Sequence, residues 1–491
     1  MKYESKNINE TVDVVKKKDL LKKICNIDKN FNIKGITYFS GEVKQGDLFI
    51  CKGAGFKKKY LEEAAERGAV CYMSEEEYDC CMPSVIVKDI RKAMSVVAAY
   101  FFDYPQHDIK MTGVTGTKGK TTTVYYIKKI LDMYTGSETA LLSTVEINTG
   151  NGNKPARLTT PESLDLQRLL YDVRCNEIEY LTMEVSSQAY KHSRVYGVDY
   201  DIGIFMNIDE DHIGPTEHES YSDYLQCKIQ LMKNCRVAVI MRDTRDFESI
   251  REAAEKYAEK VVIIGEKYDD YHIKSITKDK TGFSFELESY GITEKYSIDQ
   301  EGRFNVKNAV CAIVAAKEYG VPYNVIKSAV SRISIPGRMN VFNNERIKVI
   351  VDYAHNRLSF KELFESLKSD YPERHLTVVC GSDGSRTQIR RKDVGTMCGR
   401  YADKIYLTSC DPQFEDPFEI CTEIARYIIP YQKPYFIIEN RADAIKKAIE
   451  QADRGDIIVI TGKGEETYQK INGKYEYYES DISVVKRMLD A

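Results

Sequence analysis

No apolar run in the 491-residue chain approaches the roughly 18 residues that a membrane-spanning helix needs. The best stretch, 93–102, is short and follows Arg91 and Lys92, so it reads as a buried helix. The opening segment, MKYESKNINETVDVVKKKDLL, lacks the apolar centre of a secretory leader. Zinc-type CxxC pairs are missing among the 13 cysteines, an odd number, and the adjacent Cys80 and Cys81 make a poor disulfide framework. Reduced, mostly buried thiols in a cytoplasmic protein are therefore expected. Long blocks of one charge are also lacking. With 71 Lys and Arg against 75 Asp and Glu, the net charge is −4. That excludes a protein built chiefly to grip nucleic acid or to insert into an anionic membrane. Small basic clusters can still hold a phosphorylated small molecule.

What is present is core material: 43% hydrophobic residues with 30% charged ones. At roughly 150 residues per domain the length gives a prior of about three domains. Prolines and glycines are few, so boundaries follow pattern instead of low complexity. Residues 1–108 mix short β-rich runs (GDLFICKGAG, AVCYMS, SVIVKDI) with helices at 59–67 and 90–103, a small α/β unit. Residues 109–334 begin with a strand, a glycine-rich turn and a helix at 121–134. Strands at 140–143, 180–185, 202–207 and 237–241 then alternate with helices at 165–174 and 221–233. This order predicts a parallel sheet covered on both faces. Alternating strands over 261–299 and a helix at 308–319 complete the unit. Pro336-Gly337 marks a break. Residues 335–491 interleave five further strand runs with helices at 358–370, 417–427 and 442–451, a doubly wound α/β unit with ligands expected at strand C-termini. The fold class is α/β in three domains, with hinges near Ile109 and Pro336.

The strongest local signal is Thr112-Gly113-Val114-Thr115-Gly116-Thr117-Lys118-Gly119-Lys120-Thr121-Thr122-Thr123. Glycines at a strand-to-helix turn free backbone N–H groups to face phosphate oxygens. The helix N-terminus adds its dipole, Lys120 neutralises phosphate charge, and the Thr121 hydroxyl suits Mg²⁺. The strict G-x-x-x-x-G-K-[ST] spacing fails at Val114, which takes the first glycine position.

This loop form resembles that of the Mur ligases, ATP-dependent amide-forming enzymes of peptidoglycan precursor synthesis. The resemblance continues through Leu158-Thr159-Thr160-Pro161-Glu162, Met183 to Ala189 (MEVSSQA), Asn207 to Pro215 (NIDEDHIGP), Tyr224 to Lys228 (YLQCK), Gly302 to Asn305 with Asn308, Pro336 to Met339, Asp352 to Asn356 (DYAHN) and Thr461 to Glu466 (TGKGEE). It covers about 37–473 and points to the MurE branch. It implies a central P-loop ATPase-like domain and a Rossmann-like C-terminal domain. It further implies ATP held by Gly116, Thr117, Lys118, Gly119, Lys120, Thr121 and Thr122, with Asn305, Arg338 and Asp352 toward adenine, ribose and phosphates. Two Mg²⁺ ions are implied at Thr121, Glu184, His212 and Lys228. The last is carbamylated by CO₂ in this family, which turns a repelled cation into a metal-binding anion. Lys120, Glu184, His212 and Lys228 are the expected catalytic set.

The implied acceptor is UDP-N-acetylmuramoyl-L-alanyl-D-glutamate, held by Ser40, Thr159, Thr160, Ser187 and Arg194. Gly41 stands where the family often has arginine, which removes part of the uridine or diphosphate grip. The implied amine is a diamino acid at His355, Arg386, Asp411, Gln413 and Glu466, with Arg386 for its α-carboxylate and Glu466 for an ammonium. Enzymes that add diaminopimelate carry DNPR, whose arginine pairs with the extra carboxylate. Here Cys410-Asp411-Pro412-Gln413 supplies no such cation, so L-lysine is favoured. The lysine-type motif is DDPN, and Cys410 and Gln413 depart from it, which leaves ornithine open. A cytoplasmic monomer is expected. Two other readings stay open at this level: a related ligase on another carboxylate, such as a folate-type polyglutamate synthetase, and a nucleotide-binding paralogue without catalysis. LTTPE and the N-terminal unit weigh against the first. The joint presence of Lys120, Thr121, Glu184, His212 and Lys228 weighs against the second.

Overall fold

A computed structural model describes residues 4–27, 30–53, 55–80, 82–214, 217–279, 282–385 and 389–490. Three principal sheets carry it. The first has five strands in the order Leu21–Cys25, Ser84–Val87, Cys71–Ser74, Asp47–Ile50 and Gly35–Thr37, parallel except for the first pair. Helices Ile8–Lys17, Lys58–Glu66 and Ile90–Phe101 accompany it. The last of these is capped by the Asp89 side chain, which accepts from the Arg91 and Lys92 amides.

The second sheet has eleven strands, and Lys110–Thr115 lies in its middle, between Tyr180–Glu184 and Tyr200–Phe205. Its parallel part continues through Cys235–Met241 and Lys260–Gly265. The alternating strands Tyr271–Lys278, Phe283–Ser289 and Ile292–Ile298 extend that edge as an antiparallel meander. Both faces are covered. Helices Lys120–Thr135, Phe304–Glu318 and Tyr323–Val330 bury Ile127, Ile130, Val310, Ile313 and Ile326 with Val114, Ile202 and Ile204. Helices Ser163–Cys175, Tyr221–Lys233 and Phe247–Tyr257 bury Leu166, Leu170, Ile229 and Ile250 with Met111 and Tyr200. Side chains of each strand thus alternate between two cores, and each fully buried aliphatic contributes roughly 1.5–3 kcal/mol.

The third sheet runs Asn340–Asn343, Lys348–Asp352, Ile457–Thr461, Leu376–Cys380, Lys404–Leu407 and Tyr435–Ile437, parallel after the first pair. Its layers include helices Arg357–Asp370, Ile389–Tyr401, Pro417–Ile428, Arg441–Glu450 and Asp481–Leu489. Among the described residues, no helix is long and apolar enough to cross a membrane. The first and second sheets share core: Leu164, Tyr171 and Tyr196 pack into the cluster of Ile90, Met94 and Phe101. The second and third sheets instead meet around a polar cleft.

Candidate active site

The strand Lys110–Thr115 ends at the glycine-rich turn, and this explains the departure at Val114. That residue is strand interior, paired with Glu184 on one side and Ile204 on the other, and fully buried. The turn itself starts at Gly116. Gly119 takes φ 83° directly before helix Lys120–Thr135, and a Cβ there would lie 2.3 Å from Asn308 Oδ1. Only glycine fits both constraints. Thr117 is pinned by the Tyr224 hydroxyl at 3.0 Å, and Lys118 N donates to Asn207 Oδ1 at 2.8 Å.

Cations crowd this loop. Lys120 Nζ donates to Gly116 O at 2.9 Å, and Lys228 Nζ donates to the same carbonyl at 2.8 Å. Lys118 Nζ stands 3.5 Å from His355 Nε2, and Arg338 Nη2 donates to Thr121 Oγ1 at 3.4 Å. Burial, then Lys120, Arg390 and Arg338, push Lys118 down to about 7, against the pull of Asp211. Burial also lowers Lys120, although Glu184 and Asp211 favour its charge. Burial and the neighbouring Lys120 and Lys118 drive Lys228 well below the ordinary lysine range. The loop therefore holds more positive charge than its own carboxylates balance, which suits a polyanion.

Glu184 ends strand Tyr180–Glu184 and is 1% exposed. Its Oε1 accepts from Thr121 Oγ1 at 2.9 Å and Thr144 N at 2.8 Å, and its Oε2 accepts from Thr144 Oγ1 at 3.1 Å. A carboxylate surrounded by neutral donors beside a phosphate loop fits a hard dication. His212 takes φ 56°, an uncommon state for a side-chain-bearing residue. Its Nδ1 is 2.8 Å from Glu217 Oε1, which leaves Nε2 as the free ligand nitrogen, 3.6 Å from Asp211 Oδ2. Burial disfavours the charged form of the Lys228 amine, and the neutral form is the one that attacks CO₂, so its place also fits a carbamate.

A cavity of about 740 Å³ lies over these groups and is lined from Thr117 and Glu184 across to His355, Asp411 and Lys470. On its far wall Lys463 Nζ lies between Asp411 Oδ1 at 2.7 Å and Glu466 Oε2 at 2.5 Å. Tyr353 Oη donates to Glu466 Oε1 at 2.8 Å. Asp211 binds across the cleft, accepting from Arg390 Nη2 at 3.0 Å and from Asn356 Nδ2.

Comparison with known proteins agrees with this architecture. Residues 114–316 match the Mur ligase middle domain, and residues 337–464 match the Mur ligase glutamate ligase domain. The chain is 37% identical to the UDP-N-acetylmuramoyl-L-alanyl-D-glutamate–L-lysine ligase of Enterococcus faecalis, over 97% of this chain and 98% of that protein. This chain belongs to the Mur ligase family. A solved UDP-N-acetylmuramoyl-L-alanyl-D-glutamate–2,6-diaminopimelate ligase superposes with a TM-score of 0.65 at 27% identity, covering 94% of this chain and 95% of its own. The MurF ligase of Thermotoga maritima in complex with ADP shares the fold at a TM-score of 0.61 and 18% identity, over 93% of this chain and 96% of its own.

In this Mur ligase the cavity brings together Thr117, Lys118, Gly119, Lys120, Thr121, Thr122, Thr159, Glu184, Ser187, Arg194, His212, Asn305, Arg338, Asp352, His355, Asp411 and Glu466. Gly116 and Lys228 lie off the lining, joined by the hydrogen bond from Lys228 Nζ to Gly116 O. Some predicted groups are already engaged. Asp352 accepts from the Met339 and Ala354 amides. Asn305 donates to Glu301 O and accepts from Asn308 Nδ2. Thr160 is fully buried and donates to Glu184 O at 2.9 Å, so it holds the end of strand Tyr180–Glu184. Ser187 Oγ lies 2.9 Å from His218 Nε2. Ser40 lies outside the cavity lining and donates to Glu63 at 2.8 Å. Gln413 also lies off the lining; its backbone pairs with Lys470 and Asn472. Arg386 falls outside the described residues.

Thr144, Asp211, Arg390 and Lys463 escaped sequence reasoning. Thr144 sits in a turn with no motif of its own. Arg390 lies in helix Ile389–Tyr401, whose sequence IRRKDVGTMCGRY has no apolar period to announce it. Asp211 and Lys463 fall inside the quoted motifs, and their burial was the missing signal.

Proposed function

We propose that this Mur ligase couples ATP breakdown to amide formation between a D-glutamyl carboxylate of UDP-N-acetylmuramoyl-L-alanyl-D-glutamate and an amino group of L-lysine. A carboxylate is a poor electrophile at neutral pH. Its oxygen attacks the γ-phosphorus of ATP, the bond to ADP breaks, and an acyl phosphate forms. The amine, having lost a proton, attacks the acyl carbon, and phosphate leaves with the carboxylate's oxygen. Positioning and charge neutralisation carry both steps.

The observation that carries this reading is the surplus of cations, Lys118, Lys120, Arg338 and Arg390, around one glycine turn beside a single buried glutamate. A triphosphate removes their mutual repulsion. Gly116 to Thr122 hold the phosphates; Asn305, Arg338 and Asp352 face the rest of the nucleotide. Thr121, Glu184, His212 and a carbamylated Lys228 hold two Mg²⁺ ions, which supply Lewis-acid charge when bound. The acceptor lies along Ser40, Thr159, Thr160, Ser187 and Arg194, and the amine faces Asp411, Glu466 and His355. Units 1–108, 109–334 and 335–491 bring acceptor, ATP and amine respectively. The enzyme works as a cytoplasmic monomer.

The relative named for L-lysine supports the amine, as does the neutral pair at Cys410 and Gln413. Burial pushes the Cys410 thiol far above its ordinary value, so it adds no charge. A ligation assay with radiolabelled lysine, ornithine and diaminopimelate, run with the purified UDP-dipeptide, tests this. Lysine is expected to give the tripeptide. Comparable rates with diaminopimelate remove the lysine assignment. Absence of carboxylate-derived ¹⁸O from the released phosphate removes the mechanism.

A further inference from the structure

Glu362 is a carboxylate on the cavity lining without a partner. It is half-buried on helix Arg357–Asp370 and makes no hydrogen bond or ion pair among the described residues. Leu358 and Ser359, one turn earlier, line the cavity from the same face. Helix Phe304–Glu318 turns Phe304, Lys307, Asn308 and Cys311 to that cavity, a stripe at spacings of three and four. The loop after strand Cys235–Met241 adds Asp243, at a strand end of the kind where parallel sheets hold ligands. Asp243 pairs with Lys307, and both act on Glu362, so the three segments converge. Burial pushes the Glu362 carboxyl up to about 7, against Lys307, Lys118 and Lys361 and with Asp243. What this group lacks is a donor.

The surroundings fit a flat base. Met241, Phe304, Cys311 and Leu358 supply apolar walls, and Lys118 of the phosphate loop is close enough to act on Glu362. A carboxylate near a triphosphate is repelled unless a neutral N–H donor meets it. The 6-amino group of adenine is such a donor, and it carries two hydrogens. Asn305, placed toward adenine above, gives its amide nitrogen to Glu301 O, and its oxygen already takes Asn308 Nδ2. The second amino hydrogen therefore needs another acceptor. We infer that Glu362 is a base-selecting residue of this ligase, its carboxylate accepting from the 6-amino group of adenine and repelling a 6-oxo base. This rests on the nucleotide placement proposed above. It adds a discrimination that the glycine turn does not supply, because the turn meets only phosphates.

The test compares ATP with ITP, whose base carries a 6-oxo group, in wild type, Glu362→Gln and Glu362→Leu. It is run at about pH 8.5, above the Glu362 value, so that the carboxylate is ionised. Wild type is expected to prefer ATP in kcat/KM by roughly tenfold or more. Glu362→Gln has an amide nitrogen that can donate to the 6-oxo group. It is expected to raise kcat/KM for ITP and to cut the preference roughly tenfold. Glu362→Leu, which offers neither partner, lowers the preference as well. A carboxylate with a merely structural role cannot improve use of the wrong nucleotide. The inference is overturned by a wild type without preference, by no gain on ITP in Glu362→Gln, or by an altered ratio of ATP to 2′-deoxy-ATP, which would place Glu362 at the ribose. Should wild type make no product with any nucleotide, the reaction proposed above fails. Calorimetric binding of ADP and IDP to the same three proteins then decides the base contact by the same ratio.

Discussion

Lys228 shows how one residue's chemistry is set by its surroundings. Its amine is buried, donates to the Gly116 carbonyl and has two lysines nearby, which together hold it well below the ordinary lysine range. A neutral amine is the form that adds CO₂, as the proposed carbamate requires. Lys228→Ala is expected to lower kcat at least 100-fold with KM for the acceptor little changed. Short-chain carboxylic acids such as formate or acetate should restore part of it by filling the carbamate's place. Steady-state phosphate release with and without these acids checks both statements, and full activity in Lys228→Ala rejects the metal-bridging role.

At the scale of elements, the strand–turn–helix unit Lys110–Thr135 owes its shape to glycine. Gly119→Ala meets Asn308 Oδ1 and Met206 Cε within 2.6 Å and forces alanine to φ 83°, at roughly 1–2 kcal/mol for the backbone alone. The expected result is a tenfold or greater weakening of ATP binding, read by titration calorimetry, with the far-ultraviolet circular dichroism unchanged. This unit was legible in sequence, because glycine, lysine and threonine at a strand end have few other uses; its helix begins at Lys120, one residue before the position expected from pattern. The apparent flaw at Val114 comes from reading a strand residue as part of the turn. Other parts were not legible. Arg390 reaches Asp211 across 179 positions, and nothing local to either residue encodes that pairing. Thr160 and Asp352 carry motif identity, yet their side chains hold backbone in place, a distinction that only hydrogen-bond partners reveal. Gln413 was read from the amine motif, but its left-handed φ of 57° and backbone pairing with Lys470 and Asn472 set it beyond the cavity lining.

Across the whole molecule the two domain junctions differ in kind. The N-terminal unit shares apolar core with the central one through Leu164 and Tyr171, whereas the C-terminal unit, besides packing Phe304 against its core, is joined by polar groups on two sides of the cleft. On one side Asp211 meets Asn356 and Arg390. On the other, Glu301 accepts from Lys348 Nζ at 2.9 Å, from Tyr371 Oη at 2.8 Å and from Lys278 of its own unit. Burial opposes the charge on Glu301, but the two lysines outweigh it and hold its carboxyl below the usual range. The stabilisation it gives is therefore present above its unfolded pKa, near 4.3, and is lost as pH falls through the lower folded value. Glu301→Ala leaves two lysines without their shared anion and a phenol without its acceptor, a change of the kind that costs about 3–5 kcal/mol when a buried pair is broken. Because Glu301 is off the cavity lining, the loss should appear as loosened closure and not as altered chemistry. The expected outcome is a larger radius of gyration by X-ray scattering in the free enzyme. It is accompanied by a roughly tenfold rise in KM for lysine, while KM for the UDP-dipeptide, proposed to bind across the apolar junction, stays within twofold. Unchanged scattering together with an unchanged lysine KM would show that the C-terminal unit is held by the cleft at Asp211 alone.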